Sequence, residues 1–131
     1  MKQITQDRFY RDPTPESRGN CQQAATASIL GLELEEVPNF IEAPEGFWKS
    51  FDRFVEARGL YAWLMEPQYA PDGLYLAYGP SPRGVSHACV YRDGHLEWDP
   101  HPSRDGLLKV TSIHVLVPTD PSEFVRREGC V

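Results

Sequence analysis

The hydrophobic period changes once along this chain, near residue 60, and that change limits the fold more than any other feature. Before it, apolar side chains recur at helical spacing. After it they come in short runs rich in aromatic and β-branched residues, separated by Pro and Gly. The runs are LYAWLMEP, GLYLAYG, VSHACVYR, HLEWDP and TSIHVLVP. Asp93-Gly94 lies between the third and fourth and is the strongest short hairpin signal present, because both positions of a tight hairpin turn favour residues that tolerate positive φ. Helices followed by strands predict an α+β fold, with the N-terminal helices packed on one face of an antiparallel sheet of about five strands.

Two segments carry the helical part. CQQAATASILG is small and apolar, with Ala24, Ala25, Ala27 and Leu30 available to pack and Gly31 as a stop. Asn20 is the expected N-cap, its side-chain oxygen accepting a first-turn amide, with Ser17 as the alternative. After an acidic turn holding Glu33, Glu35, Glu36 and Pro38, the segment EGFWKSFDRFVEARG places Phe47, Phe51, Phe54 and Val55 on one helical stripe that ends at Gly59. Residues 1–19, with Pro13, Pro15 and Gly19, read as an irregular N-terminal arm, and residues 118–131 as a tail that ends in a helical turn or a mobile segment. The 131 residues suit a single domain that buries about two-thirds of its unfolded surface.

The charge balance narrows the partners. With 13 basic and 19 acidic residues the net charge is −6, which disfavours nucleic acid and anionic membrane surfaces. Arg8, Arg11 and Arg18 cluster in sequence, but Asp7, Asp12 and Glu16 interleave with them, so the segment reads as a mixed solvated surface. No apolar run reaches the roughly 18 residues of a membrane span, and MKQITQDRF lacks the apolar core of a secretion signal. Cysteines at 21, 89 and 130 form no CxxC pair, so a disulfide framework or zinc ribbon is not expected and a reducing cytoplasm suits the chain.

Three residues together suggest chemistry. Cys21 opens the first helix, where the partial positive charge of the helix N-terminus favours the nucleophilic thiolate. Alone, a cysteine there is more often a small buried hydrophobe. His87 begins a strand after the loop YGPSPRGVS, where an imidazole can exchange protons near neutral pH. Cys89, two residues on, shares its face but lacks a helix terminus. Asp99 ends the next strand. Across a two-residue turn it faces residue 88, one place from His87, and a one-residue bulge would bring the two level. An acid hydrogen-bonded to the ring fixes its tautomer and stabilises the imidazolium. A nucleophile at a helix start, a histidine at a strand start and a carboxylate on the hairpin partner are the parts of a Cys-His-acid hydrolase.

The stretches GNCQQAATASILG and SHACVYRDGHLEWDP resemble the papain-like cysteine peptidases in their compact bacterial and phage form, most closely the bacteriocin leader-processing peptidases. The resemblance spans roughly residues 18–117 and implies a papain-like fold with Cys21 as nucleophile, His87 as general base and acid, and Asp99 as orienter. It implies a thioester acyl-enzyme formed on a peptide, isopeptide or small amide, and no cofactor is expected. Papain-like peptidases place a glutamine about six residues before the cysteine to help form the oxyanion hole. Here that position is Pro15, between Thr14 and Glu16. Gln3 or Gln6 would have to fold back, or the Cys21 amide would have to act with Asn20 or Gln22. Trp98 is a further near-site candidate.

Three rival readings follow from the same residues. Asp99, His101, His87 and His95 are close in sequence, but no HExxH-like spacing holds a metal, and His114 reads as a packed strand histidine. A non-catalytic phage or bacterial interaction protein could keep the fold and bind through a groove lined by Trp48, Trp63, Trp98 and the loop YGPSPRG, although such aromatic residues are more often core. An acyltransferase or deamidase could use the same triad.

Overall fold

The computed structural model describes residues 1–11, 18–120 and 122. Helices α1 (Cys21–Leu30) and α2 (Phe47–Ala57) precede strands β1 (Leu60–Met65), β2 (Leu74–Pro80), β3 (Ser86–Arg92), β4 (His95–Trp98) and β5 (Ser112–Pro118). Short 3₁₀ turns lie at Leu34–Glu36, Phe40–Glu42 and Pro67–Tyr69. The strands form one sheet in the order β1-β5-β2-β3-β4, and every neighbouring pair is antiparallel. The α+β class and the five-stranded antiparallel sheet expected from the hydrophobic periods are both present.

The helices pack for different reasons. In α1 the fully buried Ala24, Ala25 and Ala27 have little side chain to hold the backbone away from β3 and β2. Gly31 closes it in the left-handed region, at φ 72, where a side chain would be strained. In α2 one stripe is apolar. Phe51 and Val55 have no exposed surface, and burial of each contributes on the order of 1.5–3 kcal/mol. Phe40, from the preceding turn, meets Phe47, Phe51 and Phe54 edge-on. These side chains cover Leu60, Leu76, Ala88 and Val90 of the sheet.

The opposite face carries a smaller cluster built from Tyr75, Ala77 and Ile113, covered by loop residues such as Leu107 and Val110. That loop crosses β2 closely. A Cβ on Gly79 would lie 1.9 Å from the Lys109 carbonyl oxygen, and Leu108 and Thr111 donate backbone hydrogen bonds to Pro80 and Tyr78.

Residues 1–11 form neither helix nor strand, but they are stitched to the core. Lys2 N donates to Ser28 O at 2.9 Å and Gln6 N to Pro100 O at 2.9 Å, while Trp98 Nε1 donates to Ile4 O at 2.8 Å. The arm thus ties α1 to the end of β4. The expectations for Pro13, Pro15 and the alternative cap Ser17, and those for the tail beyond Asp120 apart from Ser122, fall outside the described residues. Among the described residues, no helix is long and apolar enough to cross a membrane.

Candidate active site

His87 lies one residue into β3, and its Nε2 is 2.6 Å from Asp99 Oδ1. Both side chains are buried, at 6% and 1% exposure. The bulge that joins them differs from the expected one. Arg92 pairs with His95 and Tyr91 with Leu96, but Val90 then pairs with Trp98, so Glu97 is the extra residue and lies on β4. Continued one step, this register sets Asp99 beside Cys89 rather than level with His87. Without the bulge Asp99 would oppose Ala88, which faces the helices, and its carboxylate would be on the wrong side of the sheet. With it, Asp99 shares the face of Cys89 and His87 and reaches the ring diagonally.

Asp99 is held from three directions. Oδ1 also accepts from His101 N at 2.9 Å, and Oδ2 accepts from Gly106 N at 2.7 Å. Burial works against the charged carboxylate, but the hydrogen bonds from His87 and from the two backbone amides outweigh it and lower the Asp99 pKa to about 2. Burial likewise opposes the imidazolium of His87. The hydrogen bond to Asp99, with the adjoining thiols of Cys21 and Cys89, reverses that effect and raises its pKa to about 11. Both shifts favour the charged pair, imidazolium against carboxylate.

Cys21 is the first residue of α1 and is partly exposed. Its thiol stands close enough to the His87 ring to stabilise the protonated imidazole. Because Nε2 is committed to Asp99, Nδ1 is the ring nitrogen left for a second partner. The expected cap is absent. Asn20 occupies the N-cap position and its carbonyl accepts from Ala24 N, but its side chain makes no cap bond. Asn20 Oδ1 instead accepts from Asp7 N and Arg8 N, and Nδ2 donates to Asp7 Oδ1 and Gln23 Oε1. Both amide hydrogens and both lone pairs are used. Asn20 is thus a clamp between the N-terminal arm and α1, with no hydrogen left for an oxyanion, and the first-turn amides stay uncapped.

Cys89 is fully buried, and burial raises its pKa to about 11, only partly offset by His87. Cys21 and Cys89 are both free thiols, and Cys130 lies outside the described residues. One ligand atom each from His87, Cys89 and Asp99 falls within 4.8 Å of the others, a grouping that could hold a soft metal ion. His95 is exposed and takes no part, and His101 Nδ1 pairs with Ser103 Oγ at 2.9 Å. The direct hydrogen bond between His87 and Asp99, and the backbone amides on both carboxylate oxygens, make the group a hydrogen-bonded one.

A groove of about 1280 Å³ runs past Cys21 and His87. Trp48 and part of the loop YGPSPRG (Tyr78, Gly79, Pro80 and Arg83) line it, whereas Trp63 and Trp98 do not. Trp98 gives its N–H to Ile4 and lies under the Arg104 guanidinium, 4.0 Å from its ring centre. Gln3 is exposed, while Gln6 is buried, lines the groove and lies against Gly19. Gln22 is buried and donates to Tyr78 Oη at 3.0 Å, and Tyr78 Oη lies 2.7 Å from His114 Nδ1. This last pair, on the groove wall, was not legible in the sequence. Tyr78 and His114 come from β2 and β5, 36 residues apart, and only the sheet order brings them together. Comparison with protein families, curated proteins and solved structures yields no match for this chain.

Proposed function

We propose that this chain is a papain-like cysteine hydrolase that cleaves a peptide, isopeptide or small amide through a thioester on Cys21. The observation that carries the reading is the 2.6 Å contact of His87 Nε2 with the buried Asp99 carboxylate, on a ring that also adjoins the Cys21 thiol at the edge of a groove. An acid, an imidazole and a thiol in that order are the parts of nucleophilic acyl transfer.

The steps follow from the positions. The Cys21 thiolate attacks the substrate carbonyl carbon while His87 carries the proton. As the C–N bond breaks, His87 gives that proton to the departing amine, leaving an acyl thioester on Cys21. His87 then takes a proton from water, the hydroxide adds to the thioester, and the C–S bond breaks to release the acid and restore the thiol. The developing oxyanion is served by the uncapped first-turn amides of α1, Cys21 N–H among them. Gln6 supports this as a side-chain donor. One Nε2 hydrogen goes to Arg8 O at 2.8 Å, and the second has no partner among the described residues.

The direct test is acid-quenched mass spectrometry of the protein mixed with a panel of short peptide amides and isopeptides. An adduct of acyl mass on the Cys21 peptide, absent from Cys21→Ala, is the expected result. Amide turnover that persists in Cys21→Ala would end the reading.

A further inference from the structure

The hydrogen-bonded chain Gln22–Tyr78–His114 has polar atoms to spare, and all three residues line the groove. An amide nitrogen only donates, so Gln22 Nε2 donates to Tyr78 Oη, and the single tyrosine proton is left to donate to His114 Nδ1. That order fixes the neutral His114 tautomer with its hydrogen on Nε2. Burial among Trp48, Phe51 and Tyr78, whose ring centres all lie 5.1 to 5.3 Å from that of His114, keeps the ring uncharged.

Among the described residues, the side-chain nitrogen and oxygen atoms both sealed and unpaired are Gln6 Oε1 and Thr26 Oγ1. The hydrogen bonds of Gln22 and His114 among the described residues use Gln22 Nε2 and His114 Nδ1, which leaves Gln22 Oε1 and His114 Nε2 unpaired there but not sealed, and both residues line the groove. One is an acceptor and the other a donor. Their residues are only 4% and 6% exposed, so a ligand must reach in to use them.

We propose that these two atoms form a specificity pocket for a primary carboxamide, the side chain of Gln or Asn in the substrate. The carboxamide oxygen accepts from His114 Nε2–H, and its NH₂ donates to Gln22 Oε1, with the Trp48 indole beside them. A carboxylate in the same place meets the Gln22 oxygen without a hydrogen to offer, and an ammonium meets the His114 N–H. A backbone amide carries chain on both sides and does not fit between two residues buried this deeply. Gln22 directly follows the nucleophile, so the pocket selects at a residue next to the bond cleaved, and in that respect the proposal rests on the hydrolase reading.

The test separates the two. Calorimetry with the full-length Cys21→Ala protein compares acetylated, amidated Gly-Xaa-Gly peptides carrying Gln, Asn, Glu or norleucine. The better of Gln and Asn binds about tenfold or more tighter than Glu and norleucine, the scale on which a site built for hydrogen bonds rejects analogues that cannot make them. Tyr78→Phe, which frees the Gln22 amide and the His114 tautomer, brings the ratio to within about twofold. Gln22→Met, of similar volume, does the same if Tyr78→Phe fails to fold. Equal binding of Gln, Asn and norleucine, or a preference that survives both variants, overturns the pocket even where the wild-type thiol forms acyl adducts. A carboxamide preference in a protein whose Cys21 never acylates upholds the pocket and removes the hydrolase.

Discussion

Replacing Asp99 by asparagine tests the site at its most constrained atom. Asparagine is nearly isosteric, but it has one oxygen and one NH₂ where aspartate has two oxygens. With its oxygen placed to keep His87 Nε2 and His101 N, its NH₂ points at Gly106 N–H, which now donates into Oδ2 at 2.7 Å. Two donors then face each other at a residue with 1% exposure. The opposite rotamer satisfies Gly106 and sets the NH₂ against both His87 and His101 N–H, which is worse. One buried donor left unpaired costs about 1–3 kcal/mol. For a chain of this size that lowers the melting temperature by roughly 4–12 °C.

Activity falls on a separate ground. The asparagine accepts from the ring without a charge to stabilise the imidazolium, and loss of a triad carboxylate lowers turnover by up to about 10⁴-fold in the best-studied hydrolases. The assay is a thermal melt beside single-turnover amide cleavage, run well below the variant's melting point so that folded protein is compared with folded protein. A lower melting point with wild-type turnover would make Asp99 a structural clamp for the 99–106 turn and remove it from catalysis. Wild-type behaviour in both would refute the hydrogen-bond accounting itself.

Stability should peak near neutral pH and fall on both sides for different reasons. His114 is lowered by burial to about 4 from 6.5, so its contribution is complete above 6.5 and is lost as pH falls toward 4, and His114→Phe should flatten that limb in melts across the range. Burial is outweighed at His87, which is raised from 6.5 to about 11, so its contribution is complete below 6.5 and is lost as pH rises toward 11. His87→Gln should flatten the alkaline limb. Gly79→Ala should unfold the chain or free the 107–111 loop, because its Cβ would lie 1.9 Å from Lys109 O, and a melt with proteolysis of that loop reads either outcome, while an unchanged protein would contradict the close crossing.

What could be read from the sequence and what could not divide along a physical line. The five strands and two helices are local, since the strands and α2 follow their own hydrophobic periods, α1 is a run of small apolar residues, and stops such as Gly31 and Asp93-Gly94 divide them. The contact of His87 with Asp99 was within reach because a two-residue turn fixes which residues face one another. Only the direction of the bulge escaped, because nothing in HLEW marks Glu97 as the residue squeezed out of the ladder. Asn20 shows the limit of local rules. Its type and position are those of a helix cap, yet the arm at Asp7 and Arg8 offers two backbone donors and a carboxylate to the same side chain, and that long-range set takes three of its four valences, with Gln23 Oε1 taking the fourth. A cap by Asn20 would have taken one of the first-turn amides after Cys21, whereas the uncapped helix leaves that amide beside the thiol. The same logic governs Tyr78 and His114, which read separately as strand residues. Their meaning as a polar pair arises only from β5 lying between β1 and β2, an arrangement that no period in the sequence encodes.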